Sequence, residues 1–193
     1  MRGWIGEGLP CSVFRMKLET ATIRRLRDAL LQSGRREATV LSSAYETLAR
    51  AGLLSDEERD ALARVEPMAE AMFLVMAADG QITASERDAT RGAIRGLSNN
   101  SLHDGTIQVM LEQFEATLAA EGREARLRSL GESLRGHQSD AEGVFALAAA
   151  VALADDDVAA EEQQLVEQLA VWFGIPADRA GAILDQLEDD KST

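Results

Sequence analysis

A chain of 193 residues is long enough for one well-buried core with an extension. Its hydrophobic content of 46%, with aromatics at 4% and three prolines, rests on Ala, Leu, Val and Ile and favours helices over strands. The net charge of −13 is uneven: residues 1–50 hold nine Lys/Arg against five Asp/Glu, and the remainder 11 against 28, an acidic body that repels phosphate backbones and excludes nucleic acid as the expected partner. A single cysteine, Cys11, excludes an intrachain disulfide framework and a Cys-based zinc site, and suits a reducing compartment.

Residues 1–16 read as a flexible N-terminal extension. MRGWIGEGLPCSVFR is Gly-rich and lacks the sustained apolar region of a secretory signal, and Met16 directly precedes the first periodic helix, so it is a candidate start; cytoplasm is the default location. Residues 17–64 form an N-terminal helical extension with helices expected at 17–33, 39–51 and 55–65, the last opened by the capping box Ser55-x-x-Glu58. Arg24, Arg25, Arg27, Arg35 and Arg36 read as a solvated helix face, the alternative being contact with an acidic partner. Residues 65–190 read as the main helical domain. Pro67 opens a helix to Ala78, and Thr83–Leu97 follows. A loop of Ser, Asn and Asp104-Gly105 then precedes helices at 106–121, 123–135, 139–154, 159–173 and 176–188. Gly174 is the expected C-terminal cap before Pro176, Trp172-Phe173 a core or helix-end contact, and Met68, Met72 and Met76 a core stripe. The run VFALAAAVALA at 144–154 is eleven residues, too short to cross a bilayer. The tail EDDKST is expected to fray. No stretch alternates with period two, so the fold class is all-α, a compact multi-helix bundle.

Sliding the sequence by 76 places Val75 on Val151, Asp79 on Asp155, Ile82 on Val158, Ala84 on Ala160 and Glu86 on Glu162. Each unit reads as helix, tight turn and helix, so the bundle is expected to hold two quasi-repeated hairpins. The first corner is explicable by local structure alone. Asp79-Gly80 is a common turn pair, Thr83-x-x-Glu86 a capping box, and Ile82 an apolar plug. The second corner lacks the Thr and the Gly yet keeps the Asp and the Glu. Asp155-Asp156-Asp157 then crowds the C-terminal end of a helix, where negative charge opposes the macrodipole. Asp157 can cap the next helix; Asp155 has no such role, and a cation would compensate it. A calcium EF-hand is excluded within either hairpin, because Val75, Ala77, Val151 and Leu153 would occupy its first ligand positions. A site must pool Asp79, Glu86, Asp155 and Glu162.

AADGQITASERDAT and ALADDDVAAEEQQLVEQLAVWFGI together resemble the TerB-like domains of tellurite-resistance proteins and of membrane-linked DjlA-type co-chaperones, over about residues 66–188. The resemblance implies a compact helical domain with an acidic cluster proposed to bind metal, and no known enzyme activity. It carries Asp79 and Glu86 onto the first motif and Asp155 and Glu162 onto the second. Asp156 departs from the family's usual glycine.

The expected function is a non-enzymatic helical module that binds a hard divalent cation (Mg, Ca or Mn) and scaffolds a protein partner in a stress response. A metal-free interaction module of co-chaperone type is the alternative, and a carboxylate metallohydrolase the remote one. His103 and His137 lack metal-ligand spacing and read as loop or surface residues. No phosphate loop, nucleophile elbow or Cys/His dyad is present in the sequence.

Overall fold

The computed structural model describes residues 20–32, 52, 54–77, 82–152 and 160–191. Among them are eight helices and no strand: α1 (Thr20–Gln32), α2 (Asp56–Met76), α3 (Ala84–Leu97), α4 (Asp104–Glu121), α5 (Arg123–Ser133), α6 (Gln138–Ala152), α7 (Ala160–Trp172) and α8 (Ala177–Lys191). The expected helix at 39–51 lies outside the described residues, as do residues 1–16.

Sequence dictates which helices are central. Every residue of α2 from Met68 to Met76 is buried, as is every residue of α6 from Val144 to Ala149. A helix that is apolar all round needs cover on every side. These two pack on each other; α3, α4 and α5 cover the rest of α2, while α1, α7 and α8 cover the rest of α6. Small residues set how closely the layers approach. A Cβ at Gly143 would meet the Met68 side chain at 2.6 Å, and one at Gly131 of α5 would sit 2.3 Å from the Trp172 carbonyl oxygen of α7. In α3, Gly96 likewise makes room for Ile23 of α1.

Three expectations are corrected. The start of the tail, expected to fray, continues α8 to Lys191, where Asp190 is bonded by Thr22 and Arg25. The helices read at 55–65 and 67–78 are one helix, with Pro67 inside it. Proline removes the N–H that would bond the Ala63 carbonyl, at a cost of about 3 kcal/mol. Continuing the helix keeps Leu62 and Val65 on one side of Pro67, and Met68, Met72 and Phe73 on the other, in one core. Each such buried side chain contributes roughly 1.5–3 kcal/mol, so packing outweighs the lost bond. Asp104-Gly105, read as loop, opens α4, where Asp104 complements the helix dipole.

The caps behave as local rules require. The Ser55 hydroxyl accepts from Glu58 N–H at 3.2 Å, and the Glu58 carboxylate accepts from Ser55 N–H at 3.3 Å. At the end of α7, Gly174 has φ +68°, the Ile175 N–H bonds the Ala170 carbonyl at 2.8 Å, and the Gly174 N–H bonds that of Val171 at 3.2 Å. That is a Schellman cap, closed by burial of Ala170 and Ile175. Phe173 is core, and Trp172 packs against it from a half-buried position. The three methionines of α2 are buried as expected.

α1 buries Thr22 and Leu26 against the bundle, and Arg25 and Thr22 both bond Asp190 of α8, at 2.6 and 3.0 Å. Arg24 is exposed, as the solvated-face reading requires, whereas Arg25 is half-buried on Asp190 and Arg35 and Arg36 lie outside the described residues. α2 ends at Met76 and α6 at Ala152, while α3 starts at Ala84 and α7 at Ala160, all offset by 76. Burial follows the same offset: Thr90, Ala93, Ile94 and Leu97 are buried in the first hairpin, and Val166, Leu169, Ala170 and Phe173 in the second.

The close approach of α5 to α7 gives a paired test. Gly131→Ala is expected to destabilise the protein by roughly 1–3 kcal/mol through overpacking on Trp172. Gly92→Ala, exposed in α3 with open space around its Cβ position, should stabilise by about 0.5–1 kcal/mol. Urea denaturation of both variants measures the contrast.

Candidate functional site

The first corner joins α2 to α3. Thr83 caps α3 with its side chain while Glu86, the third helical residue, reaches back. The Glu86 Oε2 accepts from Thr83 N–H at 2.7 Å and from the Thr83 hydroxyl at 2.8 Å, and the Glu86 N–H donates to the Thr83 hydroxyl at 3.3 Å. Glu86 is buried, with 3% of its surface exposed. One turn on, the Thr90 hydroxyl reaches the Glu86 carbonyl at 2.7 Å and the Met76 sulfur at 3.4 Å, which ties the start of α3 to the end of α2. Ile82 packs against the core as the expected plug. Both capping bonds use Oε2, so Oε1 stands outside the box.

The second corner joins α6 to α7. Glu162 lies in the first turn of α7, in the place Glu86 holds in α3. Asp79 and Asp155 lie outside the described residues, as does the Glu162 side chain. Of the four expected metal ligands, Glu86 is therefore the one whose side chain is placed. Among the described residues no three or more His, Cys, Asp or Glu side chains converge as a metal-holding group.

Two carboxylate clusters were not anticipated. The sequence marks Glu58 as a cap alone, and His103 as a loop or surface residue. His103 is exposed, but its Nδ1 lies 2.6 Å from the Glu58 Oε1, which also accepts from the Thr106 hydroxyl at 3.0 Å. One buried carboxylate thus serves the N-termini of both α2 and α4. Burial raises the Glu58 pKa, but donation from His103, Ser55 and Thr106 overrides it and holds the group at about 2. The hydrogen bond to Glu58, and the negative charge of that group, raise the His103 pKa above its ordinary value.

The second cluster sits mid-helix in α2. Glu66 and Glu70, one turn apart, are both buried. Arg126 of α5 places Nε and Nη2 on the Glu70 Oε1, at 2.9 and 2.7 Å, and Nη1 on Glu121 at 3.4 Å. Burial, aided by the charge of Glu70 and opposed by Arg126, pushes Glu66 up to about 8. The sequence signal was available: two acidic residues at helical spacing inside the otherwise apolar VEPMAEAMFLVM.

A family model described as tellurite resistance protein TerB matches residues 65–185, from inside α2 to inside α8. The chain belongs to the TerB family. The TerB match contains Asp79, Glu86, Asp155 and Glu162 as well as Glu66, Glu70, His103 and Arg126; Ser55, Glu58 and α1 precede it. Searches of curated proteins and of solved structures each found no match. No helix among the described residues of this TerB chain is long and apolar enough to cross a membrane.

The Glu58–His103 pair has a pH signature. Glu58 is depressed from 4.5 to about 2, so its stabilisation is present above pH 4.5 and lost as pH falls toward 2. His103 is raised from 6.5, so its contribution is full below pH 6.5 and lost as pH rises through the folded value. The stability gap between wild type and Glu58→Gln is therefore expected to be widest from pH 4.5 to 6.5 and to narrow on both sides. His103→Ala should retain only the acid arm. Denaturation midpoints across pH measure both. At the first corner, Thr83→Ala should cost roughly 0.5–2 kcal/mol through loss of the cap, read by the same denaturation.

Proposed function

We propose that this TerB-family protein is a non-enzymatic helical module whose two corners jointly hold a divalent cation (Mg, Ca or Mn) and present the braced surface to a protein partner in a stress response. The observation that carries this reading is the shared offset of the corners. Asp79 and Asp155 each follow the last residue of a buried helix by three positions, and Glu86 and Glu162 each stand at the third position of the next. The matching helix limits and burial support treating the two hairpins as related units. Glu86 keeps one carboxylate oxygen outside its capping box, which leaves it a donor for a metal. All-oxygen donor sets favour hard cations. A cation would also offset the charge of Asp155-Asp156-Asp157, which otherwise opposes the dipole of α6.

The metal-free interaction module is the second reading, and one observation favours it: the capping box with Thr83 already gives Glu86 a structural role. Thermal melts with millimolar Mg²⁺, Ca²⁺ or Mn²⁺, and with chelator, separate the two. Cation at a hundredfold excess over its Kd should raise Tm by roughly 5–10 °C. Asp79→Asn with Asp155→Asn should remove that rise. If the melts do not respond to any of the three cations and calorimetry detects no binding heat, the cation reading fails. The metal-free reading expects the double variant to be as stable as wild type, or more so through relief of repulsion.

A further inference from the structure

Three arginines of α3, Arg87, Arg91 and Arg95, recur every four residues and so share one face of the helix. Each reaches across to α4: Arg87 to Glu115, Arg91 to Gln108, and Arg95 to Asp104. The two outer arginines meet carboxylates, and the middle one meets a neutral amide. Gln108 is held in that orientation, because its Nε2 donates to Glu112 at 2.5 Å while its Oε1 accepts from Arg91.

Arg91 is left short of acceptors. Its Nη2 bonds Gln108, while Nη1 stands 3.8 Å from the exposed carboxylate of Asp88, beyond hydrogen-bond reach. Its Nε is buried and, among the described residues, has no hydrogen-bond partner. A buried N–H without an acceptor is costly, and more so on a charged group. Beside it lies a cavity of about 270 Å³, lined by Arg91, Arg95, Asp104, Gly105, Ile107 and Gln108. Its walls carry two guanidiniums against one carboxylate, an excess of positive charge in a chain of net charge −13. That carboxylate, Asp104, is 76% exposed and keeps one oxygen on Arg95, with bonds of 2.9 and 2.6 Å.

Gly105 has open space where a Cβ would stand, so the first turn of α4 is open to close approach. His103, at the N-cap, makes no side-chain capping bond. The N–H groups of that turn add to the guanidiniums rather than replace them. Volume sets the size of the ligand. Pockets for drug-sized molecules begin at about 300 Å³, and one water takes about 30 Å³, so this space suits a small ion with a few waters.

We propose that this cavity binds a small inorganic oxyanion of the phosphate or sulfate class, which gives Arg91 the anionic acceptor that Gln108 does not supply. Arg91 and Arg95 hold it from α3, and the first turn of α4 at Gly105 closes the other side. Guanidiniums match such ligands because their planar N–H groups pair with two oxygens at once. The acidic body opposes an anion at long range, but salt screens exposed charges beyond about 10 Å, so binding is expected at millimolar concentration. The site stands apart from the two corners and does not depend on them.

Inorganic phosphate, titrated into isotope-labelled protein at constant ionic strength with sodium chloride as the reference, tests it by NMR. The expected result is saturable shifts of the Gly105 and Thr106 amides and of the Arg91 Nε–H. Gln108→Glu, which brings a carboxylate to Arg91 from within the chain, should weaken binding by about tenfold or more, as should Arg91→Gln. Shifts that do not saturate, that chloride reproduces, or that persist unchanged in either variant overturn the site. If neither variant folds, the wild-type titration decides: saturable shifts confined to the cavity lining and its neighbour Thr106 support the site, and shifts elsewhere or none overturn it.

Discussion

The pairing of α2 with α6 is the constraint from which the rest of the structure follows. Each is apolar over too much of its circumference to be half-exposed, and together they still leave surface to cover. The outer helices divide that work by side: α3, α4 and α5 take α2, and α1, α7 and α8 take α6. Contacts of α1 with α3 and of α5 with α7 then close the ring between the two sides. Glycine appears where closure demands it, at Gly96 beneath Ile23 and at Gly131 against the Trp172 carbonyl. Neither position needs unusual backbone angles. What they need is the absence of a side chain.

The buried carboxylates divide by their position along a helix. Glu58 and Glu86 lie in first turns, where backbone N–H groups lack carbonyl partners and the dipole favours negative charge. Glu58 meets donors there from His103, Ser55 and Thr106, and its pKa falls to about 2 despite its burial. Glu66 and Glu70 lie mid-helix, where every backbone N–H is already bonded along the helix. Their charge has to be met by side chains, and Arg126 of α5 meets it on Glu70. The same residue type is thus driven in opposite directions: donors from His103, Ser55 and Thr106 outweigh burial at Glu58, and burial outweighs Arg126 at Glu66 and Glu70.

That division also separates what the sequence revealed from what it concealed. Caps are local, so Ser55-Glu58, Thr83-Glu86 and Gly174 could be read within a few residues of chain, and the all-α class followed from periodicity. Helix limits fell within a few residues of expectation wherever such signals existed. Pro67 misled because its rule is local and the force that overrode it is not: the core on both sides of it keeps the helix whole. Asp104 misled in the same way, its turn chemistry giving way to a helix start. The second role of Glu58 was hidden because His103 lies 45 residues away in sequence, and the Glu70–Arg126 contact spans 56. Of the corner site, the capping role of Glu86 was legible and is realised. Its alternative role depends on where Asp79, Asp155 and Glu162 stand in space, which spacing along a chain cannot fix.

The family match begins at Val65, but the physical unit begins earlier. α2 runs through that point, and its N-terminal cap at Ser55 lies nearly three turns upstream. Glu58 lies in that upstream stretch, and through His103 and Thr106 it also fixes the start of α4 inside the match. α1 makes the same point from the other end: it buries Thr22 and Leu26 over α6 and α8, and through Arg25 it grips Asp190, beyond the last matched residue. Residues on both sides of the match therefore supply surface that the central pair requires. The TerB bundle of this chain is completed by segments that the family pattern does not include, because burial rather than family resemblance sets where the fold ends.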